Sequence, residues 1–276
     1  MNGSGSGSRW ATTTTATRGA SSASGATEVA AAWWRARLVE REALSAAGRR
    51  LVFAVREWPG HLAGQHLDVR LTAGDGYRAV RSYSLSAPAH GDRVEIAVRP
   101  TPGGEVSPYL GDELPLDAAV EVRGPLGGWF VWRPEQAGPV LLAAGGSGIA
   151  PLMAMVRARR AADSTAPFRL VYSVRSPEEL WYGDELAEAA GGAGGGRAGR
   201  AGADVATRLV YTRRAGPRAA RSPGRIGAGD LLDPAVEPSA HPTCYVCGPT
   251  AFVEHTADLL VAAGHAPEDV RTERFG

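Results

Sequence analysis

Val140-Leu141-Leu142-Ala143-Ala144-Gly145-Gly146-Ser147-Gly148-Ile149-Ala150-Pro151 is an apolar run of strand length that ends on glycines and passes into a stretch of helical period. A strand apolar on every residue is covered on both faces, which is the environment of a parallel sheet. Glycines at its carboxyl end let backbone approach a ligand, and a helix opening there offers free amides to a phosphate. The turn departs from G-x-G-x-x-G, because Pro151 stands where the last glycine would. Proline is tolerated in the first turn of a helix, where its missing N–H has no partner to lose.

Beyond this junction strands and helices alternate. Segments 168–174, 205–212 and 244–247 read as strands, 270–275 looks like a final strand, and helical spacing fills 151–160, 177–190 and 250–263. That order predicts an α/β doubly wound parallel sheet with helices on both faces. Upstream the period falls to two. Segments 37–42, 50–56, 65–71, 77–85, 93–99 and 119–123 alternate between Gly and Pro breaks, which predicts an antiparallel β-barrel or sandwich. One short helix is expected from Ser107 toward Asp112. The change of period near Pro134 and Gly138 divides a β-barrel domain at 31–135 from an α/β domain at 136–276. Residues 1–30, rich in Gly, Ser, Thr and Ala, cannot bury enough surface to order themselves. They are expected to be a disordered tail or an over-extended start. The Gly/Ala/Arg stretch at 190–203 is expected to be a flexible insertion away from any site.

At 276 residues the chain can bury two cores. A net charge of +1 gives no pull toward nucleic acid or an anionic membrane. No apolar run approaches the roughly 20 residues of a membrane span, and the N-terminus lacks the apolar core of a secretory signal. All 30 basic residues are arginine, so any phosphate must be held by Arg or backbone amides. The two cysteines exclude a disulfide framework and an all-cysteine iron–sulfur site within this chain. No metal site is expected.

On a strand, Arg81 and Tyr83 of Arg81-Ser82-Tyr83-Ser84 face one side, Ser82 and Ser84 the other. Alone they fit a plain barrel strand as well as a binding site. Gly103-Gly104-Glu105-Val106-Ser107 follows the strand that ends at Arg99. Glycines before a helix admit an anion, and Ser107 can cap that helix or donate to phosphate. Gly124-Pro125-Leu126-Gly127-Gly128-Trp129-Phe130 is a turn. Cys244-Tyr245-Val246-Cys247 spells C-x-x-C, but strand residues three apart point to opposite faces, so neither a redox pair nor a zinc half-site is expected. Cys244 reads as a buried apolar residue, whereas Cys247-Gly248-Pro249 ends its strand facing the carboxyl-end crevice. The second strand ends at Arg175 and the third at Thr212-Arg213, and neither offers the carboxylate that holds a free ribose hydroxyl. A hydroxyl beside Arg213, with Arg218 and Arg221 nearby, suits a 2′-phosphate.

In this order, Arg81–Ser84, Gly145–Pro151, Cys247-Gly248-Pro249 and Glu273-Arg274-Phe275-Gly276 resemble the flavin- and nicotinamide-binding halves of the ferredoxin–NADP reductase superfamily. The likeness covers residues 33–276 and is closest to bacterial FAD-type reductases of oxygenase systems. It implies an NAD(P)H-dependent FAD oxidoreductase. It places Tyr83 on the flavin ring, Arg81 on the pyrophosphate and Ser84 near the hydride-accepting nitrogen, with Ser82 in the same motif. It also places Arg99, Gly103, Gly104, Val106 and Ser107 at the flavin pyrophosphate, and Phe275 on the ring face opposite Tyr83. Gly145, Gly146, Ser147, Gly148 and Pro151 would hold the nicotinamide nucleotide. So would Arg175, Thr212, Arg213, Gly248 and Pro249. Cys247 would position the nicotinamide ring, and Glu273 would support hydride and proton transfer with Ser84. Ser84, Cys247 and Glu273 are thus the expected catalytic residues. FAD is expected over FMN, and NADPH over NADH.

Relatives often carry a fused two-iron two-sulfur ferredoxin domain, for which this sequence lacks the cysteines. Electrons are therefore expected to leave for a separate acceptor protein: a ferredoxin, an oxygenase or a haem protein. A cytoplasmic monomer is expected, with no nucleic-acid or membrane partner. Two other readings stay open: an NAD(P)H:flavin or quinone reductase acting on small acceptors, and a flavin electron-relay subunit that uses no nicotinamide. A SAM-binding methyltransferase would explain the glycine turn but not the strands carrying Arg81–Ser84.

Overall fold

The computed structural model describes Trp10 and residues 32–189, 205–216, 219 and 221–275. The remainder of the tail, the insertion at 190–203, Arg218 and Gly276 lie outside the described residues. Trp10 itself forms an antiparallel bridge with Ala73, its ring tilted against Tyr77 and Tyr109.

The first half is an antiparallel barrel. Its strands are β1 (Trp34–Ser45), β2 (Gly48–Val55), β3 (His66–Thr72), β4 (Arg78–Ser84), β5 (Arg93–Val98) and β6 (Ala119–Leu126), in the order β4-β3-β6-β1-β2-β5. A single bridge between Leu85, one residue past β4, and Ile96 of β5 joins the two edge strands at that point. Alternate residues fill the interior, among them Leu38, Leu51, Phe53, Leu67, Val69 and Ile96. Each such side chain contributes about 1.5–3 kcal/mol by leaving water. Strand β5 is buried on both faces: Val94, Ile96 and Val98 enter the barrel, while Ala97 joins the core of the second half.

The second half is a five-stranded, wholly parallel sheet. Its elements are β7 (Val140–Gly145), α1 (Ile149–Ala161), β8 (Phe168–Val174), α2 (Gly183–Ala189), β9 (Ala206–Tyr211), α3 (Ala228–Leu231), β10 (Thr243–Pro249), α4 (Thr250–Ala262) and β11 (Val270–Phe275). Helices α1 and α2 cover one face, and α3 and α4 the other. Alternation along β10 follows from this: Tyr245 and Cys247 join the α1 side, Cys244 and Val246 the α4 side. The C-x-x-C cysteines therefore lie on opposite faces, both buried and free.

The short helix expected from Ser107 is in place, as a π-helical turn at Tyr109–Glu113 with no side-chain cap. The Ser107 hydroxyl oxygen instead accepts the Thr101 N–H at 3.1 Å, closing the glycine loop on itself. The helix expected over 177–190 breaks into a 3-10 turn at Pro177–Glu179 and then α2. Between them Leu180 is extended and Tyr182 adopts φ 57°, which swings Trp181 fully under the barrel. There its indole N–H donates to Ser45 Oγ at 3.1 Å.

Candidate active site

The chain lays β7, β8 and β9 outward in one direction, then returns to set β10 and β11 on the other side of β7. Loops leaving β7 and β10 diverge at this reversal, and a crevice opens at the carboxyl ends. Both glycine-bearing turns picked out in the sequence lie there. Gly146 has φ 54°, and a Cβ built on it would meet nothing within 4 Å, so it presents bare backbone to the crevice. Gly148 is pinned instead: a Cβ there would sit 2.2 Å from the Cys247 carbonyl oxygen. Helix α1 follows at once, its positive dipole end aimed at the same space.

Three clefts join into one groove. The largest, about 660 Å³, lies between barrel and sheet. Arg81, Ser82, Tyr83 and Ser84 of β4 form one wall, Gly104, Val106 and Ser107 another, and Glu273 and Phe275 of β11 a third. A second cleft of about 290 Å³ is lined by Gly145, Gly146, Ser147 and Pro249. Arg99, Ser147 and Phe275 border both. A third, about 400 Å³, shares Arg175 and Thr212 with the second and adds Arg213, Arg225 and His255.

The junction between the halves is chemically specific. Ser84 Oγ donates to Glu273 Oε1 at 2.8 Å, linking β4 to β11. Burial pushes the Glu273 carboxyl above its ordinary value, opposed only partly by that hydrogen bond and by His66. Cys247 lies beside Glu273 in the β10–β11 pairing, and burial, then the Glu273 charge, raise its thiol well above the ordinary range. That thiol stays neutral. Ser82 Oγ donates to the buried Asp68 at 2.6 Å, and Asp68 also takes Arg123 at 2.6 Å. Arg99 reaches across the groove to Glu179 at 3.0 Å.

The chain matches an oxidoreductase FAD-binding domain over residues 35–131 and an oxidoreductase NAD-binding domain over 142–258. The chain belongs to the ferredoxin–NADP reductase superfamily. Among curated proteins, the ferredoxin–NAD(P)(+) reductase component of naphthalene 1,2-dioxygenase/salicylate 5-hydroxylase systems from a Ralstonia species is 31% identical over 212 residues, covering 77% of this chain and 60% of that one. The reductase subunit of an aromatic O-demethylase from an Amycolatopsis species is 33% identical over 234 residues, covering 82% and 64%. The flavohem-like FAD/NAD-binding domain of nitric oxide dioxygenase from Vibrio cholerae shares the fold at a TM-score of 0.74 and 22% identity, covering 88% of this chain and 98% of that one. The chain spans between 47% and 64% of the length of the curated relatives it matches.

The groove of this ferredoxin–NADP reductase relative suits the two nucleotides its domains bind. The open backbone at Gly146 and the helix behind it suit a diphosphate. Arg175, Arg213 and Arg225 border the third cleft, and none has a carboxylate partner among the described residues. Several expected positions do not line the groove. Cys247 was expected to face the crevice, but it is fully buried, in the core on the α1 side of the sheet. Gly148, Pro151 and Gly248 lie behind the lining as close-packing residues, and Gly103 serves the turn before Gly104. Arg221 is unavailable to a phosphate, since Asp230 holds it with bonds of 3.1 and 2.9 Å. Sequence reasoning missed Arg225, His255, Phe252, Glu179 and His66, all of which border the groove. None of these carried a local signal, and His66 comes opposite Ser84 only through the β3–β4 register.

Proposed function

We propose that this chain oxidises NAD(P)H with FAD and passes the electrons to a separate acceptor protein. Two curated relatives are named as reductase components of oxygenase systems, and this reading gives the chain the same kind of role. The carrying observation is the 2.8 Å hydrogen bond from Ser84 to Glu273, which joins the flavin-side strand to the nicotinamide-side strand in one groove.

Bound FAD would supply the chemistry the chain lacks, that of a hydride acceptor able to release electrons singly. The chain's own share is binding, orientation and proton handling. Tyr83 and Phe275 form apolar walls for a ring between them, and Ser82 is held by Asp68. Arg81, Gly104, Val106 and Ser107 border the space for the FAD pyrophosphate. Gly145, Gly146, Ser147 and Pro249 receive the nicotinamide nucleotide, and its far end reaches Arg175, Thr212 and Arg213. The three arginines without carboxylate partners favour a 2′-phosphate, hence NADPH over NADH. Ser84 and Glu273 hold a proton at the junction, Glu273 being partly disposed to carry it by burial. Cys247 packs beneath them as a neutral wall that fixes the strand end. Residues 31–135 form the FAD-binding unit and 136–276 the nicotinamide-binding unit of a cytoplasmic monomer.

Steady-state oxidation of NADPH by the FAD-loaded chain tests this. Rapid turnover with a one-electron acceptor such as ferricyanide or a ferredoxin supports it. Turnover confined to quinones or free flavin would move the function to a small-acceptor reductase.

A further inference from the structure

Strand β5 turns Glu95 and Ala97 toward the second half, and Arg99 follows beyond its end. Ala97 and Arg99 line the largest cleft. Glu95, one step back along that face, is buried where Arg157 descends from α1. Arg157 Nη1 donates to Glu95 Oε1 at 2.5 Å and to the Ser86 carbonyl at 2.9 Å. Its Nε and Nη2 donate to the two Glu185 oxygens on α2 at 2.9 and 2.7 Å. On the barrel side Glu95 also accepts Ser86 Oγ at 2.8 Å and Arg50 Nε at 2.7 Å, and Arg50 extends to Glu40 and Glu42 at 3.2 Å each. The Arg157 guanidinium lies 5.0 Å over the Tyr182 ring. One planar fork thus joins α1 and α2 to β5 and the Ser86 loop of the barrel, and Glu95 carries the network on through Arg50 to β2 and β1.

The same two elements carry the clamp and the groove walls. Helix α1 presents Ala150 to the cleft about two turns before Arg157. Strand β5 presents Ala97 two residues after Glu95. The contact at Ala97 is small and apolar, and apolar contact is non-directional. A bidentate ionic fork is directional and fixes one register.

We propose that Arg157 is a positioning residue: by reaching from α1 to Glu95 on β5, with Glu185 holding the other edge of its guanidinium, it sets the separation between the flavin-side and nicotinamide-side walls of the groove without touching either cofactor. The proposal rests on the function given above. Lysine cannot replace this arginine, because a single ammonium cannot offer a planar fork to both carboxylates.

The test uses the FAD-loaded full chain and variants that cut each arm of the fork. Arg157→Lys and Glu95→Gln loosen the barrel arm, and Glu185→Gln loosens only the arm within the nicotinamide half. Anaerobic stopped-flow gives the flavin reduction rate at saturating NADPH. Absorbance of the oxidised protein mixed with NADP⁺ gives the nucleotide dissociation constant and the long-wavelength flavin–nicotinamide band. For Arg157→Lys and Glu95→Gln the expected result is a rate lower by about tenfold or more and a weaker band, at unchanged FAD content and nucleotide affinity. Glu185→Gln should stay within about twofold of the parent. Equal rates in all variants would overturn the proposal, as would loss of FAD or of soluble protein from both barrel-arm variants, which marks a structural role. A parent protein that NADPH does not reduce defeats the functional reading, and this proposal with it. A parent that is reduced beside an unaffected Arg157→Lys defeats this proposal alone.

Discussion

Ser84 and Glu273 sit 189 positions apart and meet at 2.8 Å. If their contact handles the proton, Ser84→Ala lowers flavin reduction by about 10²-fold while leaving FAD bound, read by stopped-flow bleaching and the absorbance of the purified protein. Glu273 has its folded-state value raised by burial, so its stabilising contribution is complete below the ordinary glutamate value of 4.5 and is lost as pH rises through the raised value. Glu273→Gln removes that loss. Its melting temperature at neutral pH should therefore equal or exceed the parent's, while its flavin reduction falls. A melting temperature several degrees lower would show that the carboxylate is stabilising as an ion. At the far end of the groove, Arg213→Ala should lower the preference for NADPH over NADH by about tenfold, measured as the ratio of kcat/KM values. An unchanged ratio would remove Arg213 from the 2′-phosphate site. Much of this site was legible because Ser84 and Glu273 each stand inside a short, recognisable motif. Arg225 was not legible, because its place beside Arg213 depends on a loop path that no local pattern encodes. Arg221 looked equally suitable in the sequence, and only the fold shows Asp230 capturing it.

Elements were read well where one periodicity governed them. The sequence placed the strand at Phe168–Val174 and the closing strand Val270–Phe275 at their observed bounds; for the first, a mostly apolar run between breakers leaves little choice. The helix expected over 177–190 failed for a tertiary reason. Trp181 is drawn beneath the β1–β2 hairpin, where Gly48 makes room for it: a Cβ at Gly48 would lie 2.2 Å from the indole nitrogen. The turn between β7 and α1 depends on a similar close approach. Gly148→Ala places a Cβ against the Cys247 carbonyl, which belongs to backbone and cannot rotate away. The variant should lose about 1–3 kcal/mol in urea denaturation and bind nucleotide more weakly, because the phosphate-facing turn has to shift. Normal stability with normal nucleotide binding would show that the turn has slack the geometry denies.

For the molecule as a whole, the switch from period two to alternating strands and helices announced two halves and their division of labour. How the halves meet was hidden. Glu95, Ala97 and Arg99 read as one ordinary alternating strand, yet that strand is a wall shared by both cores. The interface combines apolar packing with directional ties at Arg157, Arg99, Trp181 and Ser84. These ties give the two halves one frame across the groove, the kind of positioning that near-attack geometry for hydride transfer requires. If this frame holds FAD and accepts a hydride from NAD(P)H, the visible absorbance of the purified chain, mixed anaerobically with NADPH and, separately, with NADH, reports it. A yellow protein bleached within seconds, faster by NADPH, is the predicted result. A colourless protein that takes up no added FAD, or a yellow one that neither nucleotide bleaches, would contradict it.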